Sequence, residues 1–263
     1  MTLLVTLYTR RGIAFAADSA ITLGSGHGAT RRPKQTKLHR VTQLGPNGGV
    51  VGYFGLARVS NQDMDRWLRR TLDRWPGSVV AADLGVYLRD ELNRAVPPAD
   101  RTCNASGFHI GAFEERDGVT IPVFQYVWNY DDMDLGTGAY VGFGAYRTQE
   151  HFPSNSGFTR FAPMQIRDAL RQLELAHGFP MWFRNGEVAF SARAWEGLRL
   201  AMVDITQNLR GRGFRPPDDL DRWAALAEGI VRTNGWLFAL LNTRGVPTIE
   251  GPYPKMTIAW PSQ

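Results

Sequence analysis

The first two residues of the chain can together supply a nucleophile and its base. Met1 is followed by Thr2, a small residue of the kind that methionine aminopeptidases accept at the second position, so we expect the mature chain to begin at Thr2. An α-amine has an ordinary pKa of about 7.7 to 8.0 and is therefore partly neutral at pH 7. Such an amine can accept the proton of its own residue's hydroxyl, directly or through one water. Alone, this dipeptide is a weak signal.

A carboxylate and a lysine strengthen the signal. Asp18 ends the apolar run 12–17, and a carboxylate buried there is costly unless a cation pairs with it. The chain has only three lysines, Lys34, Lys37 and Lys255, and its other basic residues are arginines. Lysine offers a compact ammonium group and a pKa that shifts readily. We expect Lys34 in a solvated loop, whereas Lys37 enters an alternating strand and is the candidate partner of Asp18.

The elements that must position these residues follow from hydrophobic periodicity. Period-two or apolar runs predict two opening hairpins, and later runs at helical spacing predict amphipathic helices. The predicted strands cover residues 3–8, 12–18, 37–44, 49–54, 108–113, 120–128, 140–144 and 255–260. The predicted helices cover residues 60–75, 78–95, 163–177, 192–209 and 218–241, and residues 146–161 are predicted to be a loop. This order indicates an α+β fold in which helices cover the outer faces of stacked sheets.

Four segments in this order carry a family resemblance. They are Thr2-Leu3-Leu4-Val5, Ala16-Ala17-Asp18-Ser19, Lys37-Leu38-His39-Arg40-Val41 and Val51-Gly52-Tyr53-Phe54-Gly55-Leu56-Ala57. Together they resemble the proteasome β-subunit family of N-terminal-nucleophile hydrolases, which includes bacterial HslV-type and Anbu-type relatives. The resemblance implies a four-layer α/β/β/α sandwich of two antiparallel sheets. It also implies one domain over residues 1–263, with an enlarged C-terminal helical part at about 146–241.

The resemblance implies roles for individual residues. Thr2 would attack an amide carbonyl, Asp18 and Lys37 would form a buried pair beside it, and the backbone N–H of Gly52 would stabilise the oxyanion. An ammonium group near the amine and hydroxyl would disfavour protonation of the amine and favour the alkoxide. Ser19, which follows the aspartate, would support the site.

Further positions are less clearly assigned. Ile21, Val50 and Phe54 lie where the resemblance places the wall of a substrate pocket, although Val50 and Phe54 equally suit the core of a strand. The family often has a serine between glycines in mid-chain, and the nearest segment here has Phe143 at that place. It also tends to have an Asp-x-x-Ser pair before the last strand. Here only Thr248 is a loose substitute, so the proton relay departs from the family pattern.

Composition limits the partners that we expect. The chain has 263 residues and a net charge of +5 that is spread along it, so nucleic-acid binding is unsupported. No apolar run approaches the roughly 20 residues of a membrane span, and the single cysteine, Cys103, excludes an internal disulfide framework. Scattered histidines give no metal site, and no cofactor is expected. From these features we expect a cytoplasmic protein. The family resemblance implies peptide or unfolded-protein substrates, a homo-oligomeric ring and a possible ATPase partner.

Three alternatives remain open at the level of the sequence. The departures from the family pattern suit a catalytically silent ring subunit with a structural role. The same fold could hydrolyse a small-molecule amide instead of a peptide. A basic scaffold that binds nucleic acid would show salt-sensitive retention on DNA.

Overall fold

The structure is a computed structural model that describes residues 3–23, 30–32, 35–102, 105–134, 139–154, 158–186, 188–213, 215–241 and 251–261. The strands are β1 Leu3–Thr9, β2 Gly12–Ala17, β3 Ile21–Leu23, β4 Thr30–Arg32, β5 Leu38–Val41, β6 Gly49–Phe54, β7 Arg58–Val59, β8 Gln62–Asp63, β9 Gly107–Arg116, β10 Val119–Trp128, β11 Asp132–Asp134, β12 Ala139–Val141, β13 Arg147–Phe152, β14 Met181–Gly186 and β15 Lys255–Ala259. The α-helices are α1 Met64–Asp73, α2 Ala81–Ala95, α3 Pro98–Arg101, α4 Ile166–His177, α5 Val188–Asn208 and α6 Leu220–Leu241. This mixture of helices and strands confirms an α+β protein.

Two antiparallel sheets hold most of the strands. The first has the order β14-β1-β2-β15, and the second has the order β13-β10-β9-β6-β5. Both predicted opening hairpins are present, since β1 pairs with β2 and β5 pairs with β6. The first hairpin closes at Thr9, whose hydroxyl oxygen accepts the N–H groups of Arg11 and Gly12, both at 3.0 Å. The predicted elements therefore have the expected partners in this part of the chain.

Strand β1 is covered on both faces, which explains its unbroken apolar sequence. Leu4 and Tyr8 join a core cluster with residues of the second sheet, whereas Leu3 and Val5 join a cluster with Trp223 of α6. Successive side chains of a strand point to opposite faces, so one strand can serve both clusters. The two sheets thus pack against each other, and α6 packs on the far side of the first sheet.

Helix α2 packs on the second sheet at a close approach. A Cβ atom at Gly85 would lie 2.6 Å from Oγ1 of Thr148 and 2.7 Å from Cγ of Gln125. Glycine in the middle of a helix costs about 0.5 to 1 kcal/mol relative to alanine, so packing must compensate for it here. The missing Cβ lets the helix axis approach β10 and β13.

Two strands of the large sheets, and several of the short two-stranded ribbons, were not predicted from the sequence. Residues 146–161 were expected to be a loop, yet they contain β13, which pairs with β10. In β13, exposed polar side chains alternate with partly buried polar ones. Such an edge strand has almost no apolar residues from which a period could be recognised. Strand β14 was also missed, and it borders β1 with Leu4 opposite Asn185. The first sheet is therefore one strand wider than the periodicity indicated.

Over the described ranges, none of the helices has the length and apolar character required to span a membrane.

Two glycine-to-alanine changes test the packing of α2. Gly85→Ala should lower the free energy of unfolding by about 1 to 3 kcal/mol, because the added methyl group would overpack against the side chains of Thr148 and Gln125. Gly229→Ala in α6 should raise it by about 0.5 to 1 kcal/mol, because nothing lies within 4 Å of the added Cβ and helix propensity improves. Urea unfolding of both variants measures the two effects. Equal effects with the same sign would contradict the proposed close approach.

Candidate active site

A buried ion pair joins the two opening hairpins. Nζ of Lys37 lies 3.0 Å from Oδ1 of Asp18, and both side chains have 0% exposure. The lysine also donates to the backbone oxygen of Ala20 at 2.7 Å. Asp18 follows β2 directly, and Lys37 precedes β5, so the pair lies where the two hairpins meet. The sequence prediction that Lys37 is the partner of Asp18 agrees with this geometry.

The carboxylate of Asp18 is surrounded by hydrogen-bond donors. Its Oδ1 accepts the backbone N–H of Leu3 at 2.8 Å, and its Oδ2 accepts the N–H of Ala20 at 3.1 Å. The backbone N–H of Asp18 in turn donates to the oxygen of Leu3 at 3.1 Å. Asp18 therefore fixes the start of β1, one residue after Thr2, to the end of β2.

Burial governs the protonation of the pair. Desolvation lowers the pKa of Lys37 from its ordinary value, and the charge and hydrogen bond of Asp18 oppose that fall. Desolvation likewise raises the pKa of Asp18, and the charge of Lys37 and the N–H of Leu3 oppose that rise. A lysine whose pKa is lowered in this way releases and regains a proton more easily than a solvated one.

Backbone contacts hold the Lys37 segment in place. The N–H of Tyr53 donates to the backbone oxygen of Lys37 at 3.1 Å, and the N–H of Gln35 donates to the backbone oxygen of Ser19 at 3.2 Å. The hydroxyl of Tyr53 donates to Oε1 of Gln35 at 2.9 Å. Ser19 is buried beside the pair. These bonds connect the segment after β2 with the segment before β5, and so they restrict the position of the ammonium group.

The amide of Gly52 is committed to the sheet, contrary to its expected role. Gly52 lies inside β6 and faces Leu38 of β5 and His109 of β9. Successive N–H groups of a strand point to opposite sides, and that of Tyr53 points to β5, so the N–H of Gly52 points to β9. It is therefore unavailable as an oxyanion donor. The absence of a Cβ at Gly52 instead makes room for the side chain of Leu4. A Cβ atom added at Gly52 would lie 2.7 Å from Cδ1 of Leu4.

Gly55 is the first glycine beyond β6. It has φ +86°, a conformation that glycine adopts without strain, and an added Cβ would lie 2.1 Å from the backbone oxygen of Ala105. Gly55 therefore lies outside the ladder of β6, where its backbone passes close to that of Ala105.

Two of the three expected pocket residues belong to the core. Val50 and Phe54 are fully buried and face the first sheet, and the Phe54 ring lies 6.2 Å from the ring of His109 and 6.1 Å from that of Tyr126. A side chain enclosed in this way cannot line an open substrate pocket, so the prediction for these two residues was wrong and their alternative core role is correct. Ile21 begins β3, and its side chain lies outside the described set.

Several candidate residues lie outside the described part of the chain. They are Thr2, Lys34, Cys103 and Thr248. Their expected roles therefore stay predictions.

A buried polar network between the sheets was missed. Nδ1 of His109 lies 2.9 Å from Oγ1 of Thr6, its Nε2 contacts Oδ1 of Asn185, and Nδ2 of Asn185 donates to the hydroxyl of Tyr130 at 2.8 Å. Burial lowers the pKa of His109 to about 3, so the ring is neutral near pH 7. The amide oxygen of Asn185 must accept from Nε2–H, and Nδ1 then accepts from the Thr6 hydroxyl.

Sequence offered one signal for this network. Thr6 and His109 interrupt otherwise apolar strands at positions whose neighbours two residues away face the core. Their partner Asn185 lies on β14, which the periodicity did not indicate. β14 is also the strand that borders β1, so the segment around Phe143, which was compared with the family's mid-chain serine, is not the sheet neighbour of β1. Gly142 instead directly follows β12, which forms a two-stranded ribbon with β11.

Across the described residues, no group of three or more His, Cys, Asp or Glu side chains is placed to hold a metal ion.

Comparisons with known proteins give limited information. No protein-family model matches the chain, and no curated protein matches it. Two of the solved structures that match this chain are Anbu proteins. Anbu (ancestral beta-subunit) from Yersinia bercovieri is 17% identical with a TM-score of 0.47, and the match covers 98% of this chain and 82% of that one. An Anbu mutant from Hyphomicrobium sp. strain MC1 is 13% identical with a TM-score of 0.41, and the match covers 98% of this chain and 87% of that one.

Removing one partner of the ion pair should destabilise the fold. Lys37→Met leaves Asp18 buried without its cation, so we expect the free energy of unfolding to fall by about 3 to 5 kcal/mol. Asp18→Asn combined with Lys37→Met should cost clearly less than the sum of the two single changes, because neither charge is then uncompensated. Lys255→Met is the control: its ion pair with Glu228 is exposed, and its loss should cost less than about 1 kcal/mol. Additive effects in urea unfolding would show that the pair does not interact.

His109 should make stability depend on pH. Its folded pKa of about 3 lies below the ordinary value of 6.5, so only the unfolded chain binds the proton in between, and stability is lost as the pH falls from 6.5 to 3. The contribution to the slope approaches about 1.4 kcal/mol per pH unit. Urea unfolding at pH 7, 6, 5 and 4 should give a shallower slope for His109→Gln than for wild type. Parallel slopes for wild type and His109→Gln would overturn the assignment.

Proposed function

We propose that the chain is an N-terminal-nucleophile hydrolase that cleaves amide bonds with Thr2 after removal of Met1. The observation that carries the proposal is the fully buried Asp18–Lys37 pair, held at 3.0 Å beside the start of β1. Leu3, the residue after Thr2, donates its N–H to the same carboxylate oxygen that binds the lysine. This contact brings the proposed nucleophile to within one residue of a shiftable cation. Peptides and unfolded proteins are the proposed substrates.

The proposed reaction needs no cofactor. The hydroxyl oxygen of Thr2 forms a bond to the amide carbon while its proton passes to the α-amine, and the carbonyl π electrons move to oxygen. When the oxyanion collapses, the C–N bond breaks and the leaving amine takes that proton. Water then hydrolyses the ester by the reverse sequence. The ammonium group of Lys37 favours the neutral α-amine and the developing alkoxide, and Asp18 keeps the ammonium group charged.

We assign the oxyanion donor to Gly55 instead of Gly52. The N–H of Gly52 points to β9, whereas Gly55 follows the last residue of β6 and lies outside the ladder. A preorganised amide donor of this kind contributes about 2.7 to 4 kcal/mol to stabilisation of the transition state. Ser19 supports the site by holding Gln35 beside the lysine segment. Ile21 and Thr248 stay candidates for substrate contact and proton relay.

We further propose the architecture in which such a site would work. Helix α6 on the first sheet and α2 on the second support the order α/β/β/α for a single domain over residues 1–263, with the enlarged helical part at about 146–241. Exposed apolar side chains on α5 and α6, namely Leu200, Ile205, Trp236 and Leu240, support contacts between copies of the chain. A homo-oligomeric ring in the cytoplasm, with an ATPase as possible partner, would separate the active threonines from other proteins. A monomer in light scattering would contradict the ring.

A covalent probe tests the proposed nucleophile. Intact mass should first show loss of Met1, and a β-lactone or epoxyketone probe should then add one adduct that peptide mapping places on Thr2. Thr2→Ala should abolish the adduct. Thr2→Ser should retain it, because the oxygen nucleophile remains. Lys37→Arg, which replaces the compact ammonium group with a larger planar guanidinium group, should slow labelling by at least about 100-fold, whereas Lys255→Met should label at the wild-type rate.

The same experiment separates the alternatives. A processed wild-type chain that takes no adduct and hydrolyses no amide would favour a silent ring subunit and would contradict the proposal. An adduct together with hydrolysis of small acyl amides, but of no fluorogenic peptide, would keep the mechanism and change the substrate class. Retention of Met1 would remove the free amine on Thr2 and overturn the proposal directly.

A further inference from the structure

The far end of the opening hairpin carries an arginine-lined cavity. Arg10 and Arg11 form the turn between β1 and β2, at the end opposite to Asp18. Arg167 and Arg171, four residues apart on α4, present their side chains on one face of that helix. Together with Asp168 and Asp218, these four arginines line a cavity of about 340 Å³. This volume lies in the range of small-molecule pockets.

The donors of this cavity exceed its acceptors. Nη2 of Arg10 and Nη2 of Arg11 both donate to Oδ1 of Asp218, at 2.6 and 2.8 Å. The side chain of Asp218 is 73% exposed, so its position depends mainly on these two hydrogen bonds. Nε of Arg10 makes no hydrogen bond among the described residues, but it pairs with Oε2 of the buried Glu174 at 3.5 Å. The Nη2 donors of Arg10 and Arg11 therefore share one oxygen of an exposed carboxylate, which an anion could replace.

Other contacts hold the guanidinium groups in position. Nε of Arg167 donates to the backbone oxygen of Arg10 at 3.3 Å, and its guanidinium carbon lies 5.2 Å from the centre of the Trp260 ring. The N–H of Arg10 donates to Oε1 of the buried Glu174 at 2.7 Å. Burial raises the pKa of Glu174 to about 7, so this carboxylate is only partly ionised near neutral pH. The cavity thus combines fixed cations with incomplete internal neutralisation.

We propose that this cavity binds the oligophosphate group of a small molecule. A guanidinium group is planar and presents paired N–H donors that match phosphate oxygens. Several such groups around one cavity suit two or three linked phosphates better than a single carboxylate. The bound phosphate oxygens would replace Oδ1 of Asp218 and take the same Nη2 donors of Arg10 and Arg11. The site lies at the opposite end of β1 from Leu3 and does not depend on the proposed hydrolysis.

A second arginine cluster in the same chain provides a matched control. Arg70, Arg74 and Arg94 line a groove with Asp73 and Glu91. There Arg74 and Arg94 both pair with Glu91, whose side chain is 17% exposed, and Arg70 donates to Gln62 at 2.9 Å. The carboxylate in this groove is better buried than Asp218. Removing two arginines here changes the net charge as much as removing two from the cavity.

Calorimetry with tripolyphosphate in 0.15 M salt tests the proposal on the full-length chain. Wild type should bind one tripolyphosphate per chain, and Arg11→Ala combined with Arg171→Ala should weaken binding by at least about 10-fold, since charge-assisted hydrogen bonds are lost. Arg74→Ala combined with Arg94→Ala should leave the affinity unchanged. Asp218→Asn should strengthen binding several-fold, because the competing carboxylate is removed.

ATP that binds as tightly as tripolyphosphate would show that the phosphate chain alone is recognised, whereas tighter binding of ATP would identify a nucleotide as the source.

Three outcomes would overturn the proposal. The first is a folded wild type that does not bind tripolyphosphate at millimolar concentration. The second is an equal loss of affinity in the two double variants, which would indicate nonspecific attraction to a basic surface. The third is an acidic peptide that binds at this cavity and resists displacement by tripolyphosphate, which would assign the surface to a protein partner instead.

Discussion

The position of the proposed nucleophile depends on the buried contact between Asp18 and Lys37. Each charge is desolvated, and the opposite charge, the N–H groups of Leu3 and Ala20 and the backbone oxygen of Ala20 help to compensate for the lost water. Such a pair gives little net stability, but it tolerates little displacement, because a separated buried charge is very costly. The pair therefore fixes the ends of both opening hairpins relative to each other. That rigidity, more than its free energy, is what a site built on the start of β1 requires.

The opening hairpins and the ion pair could be predicted because their signals are local. An apolar strand that ends in a carboxylate needs a cation, and lysine is rare in this chain, so Lys37 was identifiable before any coordinates. Strands β13 and β14 lacked such signals, since one is half exposed and the other lies between two helices. The network around His109 could not be predicted either. Thr6, His109 and Asn185 lie on β1, β9 and β14, and nothing in their sequence spacing shows that these strands are neighbours.

Gly52 and Gly55 show what a sequence motif cannot determine. Gly52 and Gly55 stand in one short motif, and the motif alone does not say which backbone N–H can donate a hydrogen bond to an oxyanion. The direction of an N–H depends on its place in the ladder, and that place is set by the register between β6 and its two neighbours. A shift of one residue reverses every amide of the strand. Likewise Val50 and Phe54 lie on the face of β6 that meets the first sheet, which removes them from any pocket.

The two ends of the first hairpin differ in how their charges are satisfied, and this difference separates their functions. At one end, a single lysine is paired with one carboxylate, and both side chains are fully buried. At the other end, two arginines share an oxygen of the exposed Asp218, while Nε of Arg10 lies 3.5 Å from Oε2 of Glu174 without a hydrogen bond. Water or an anion can enter there without breaking a buried pair. A matched pair suits a fixed catalytic environment, whereas an excess of guanidinium donors around an open cavity suits the reversible binding of an anion.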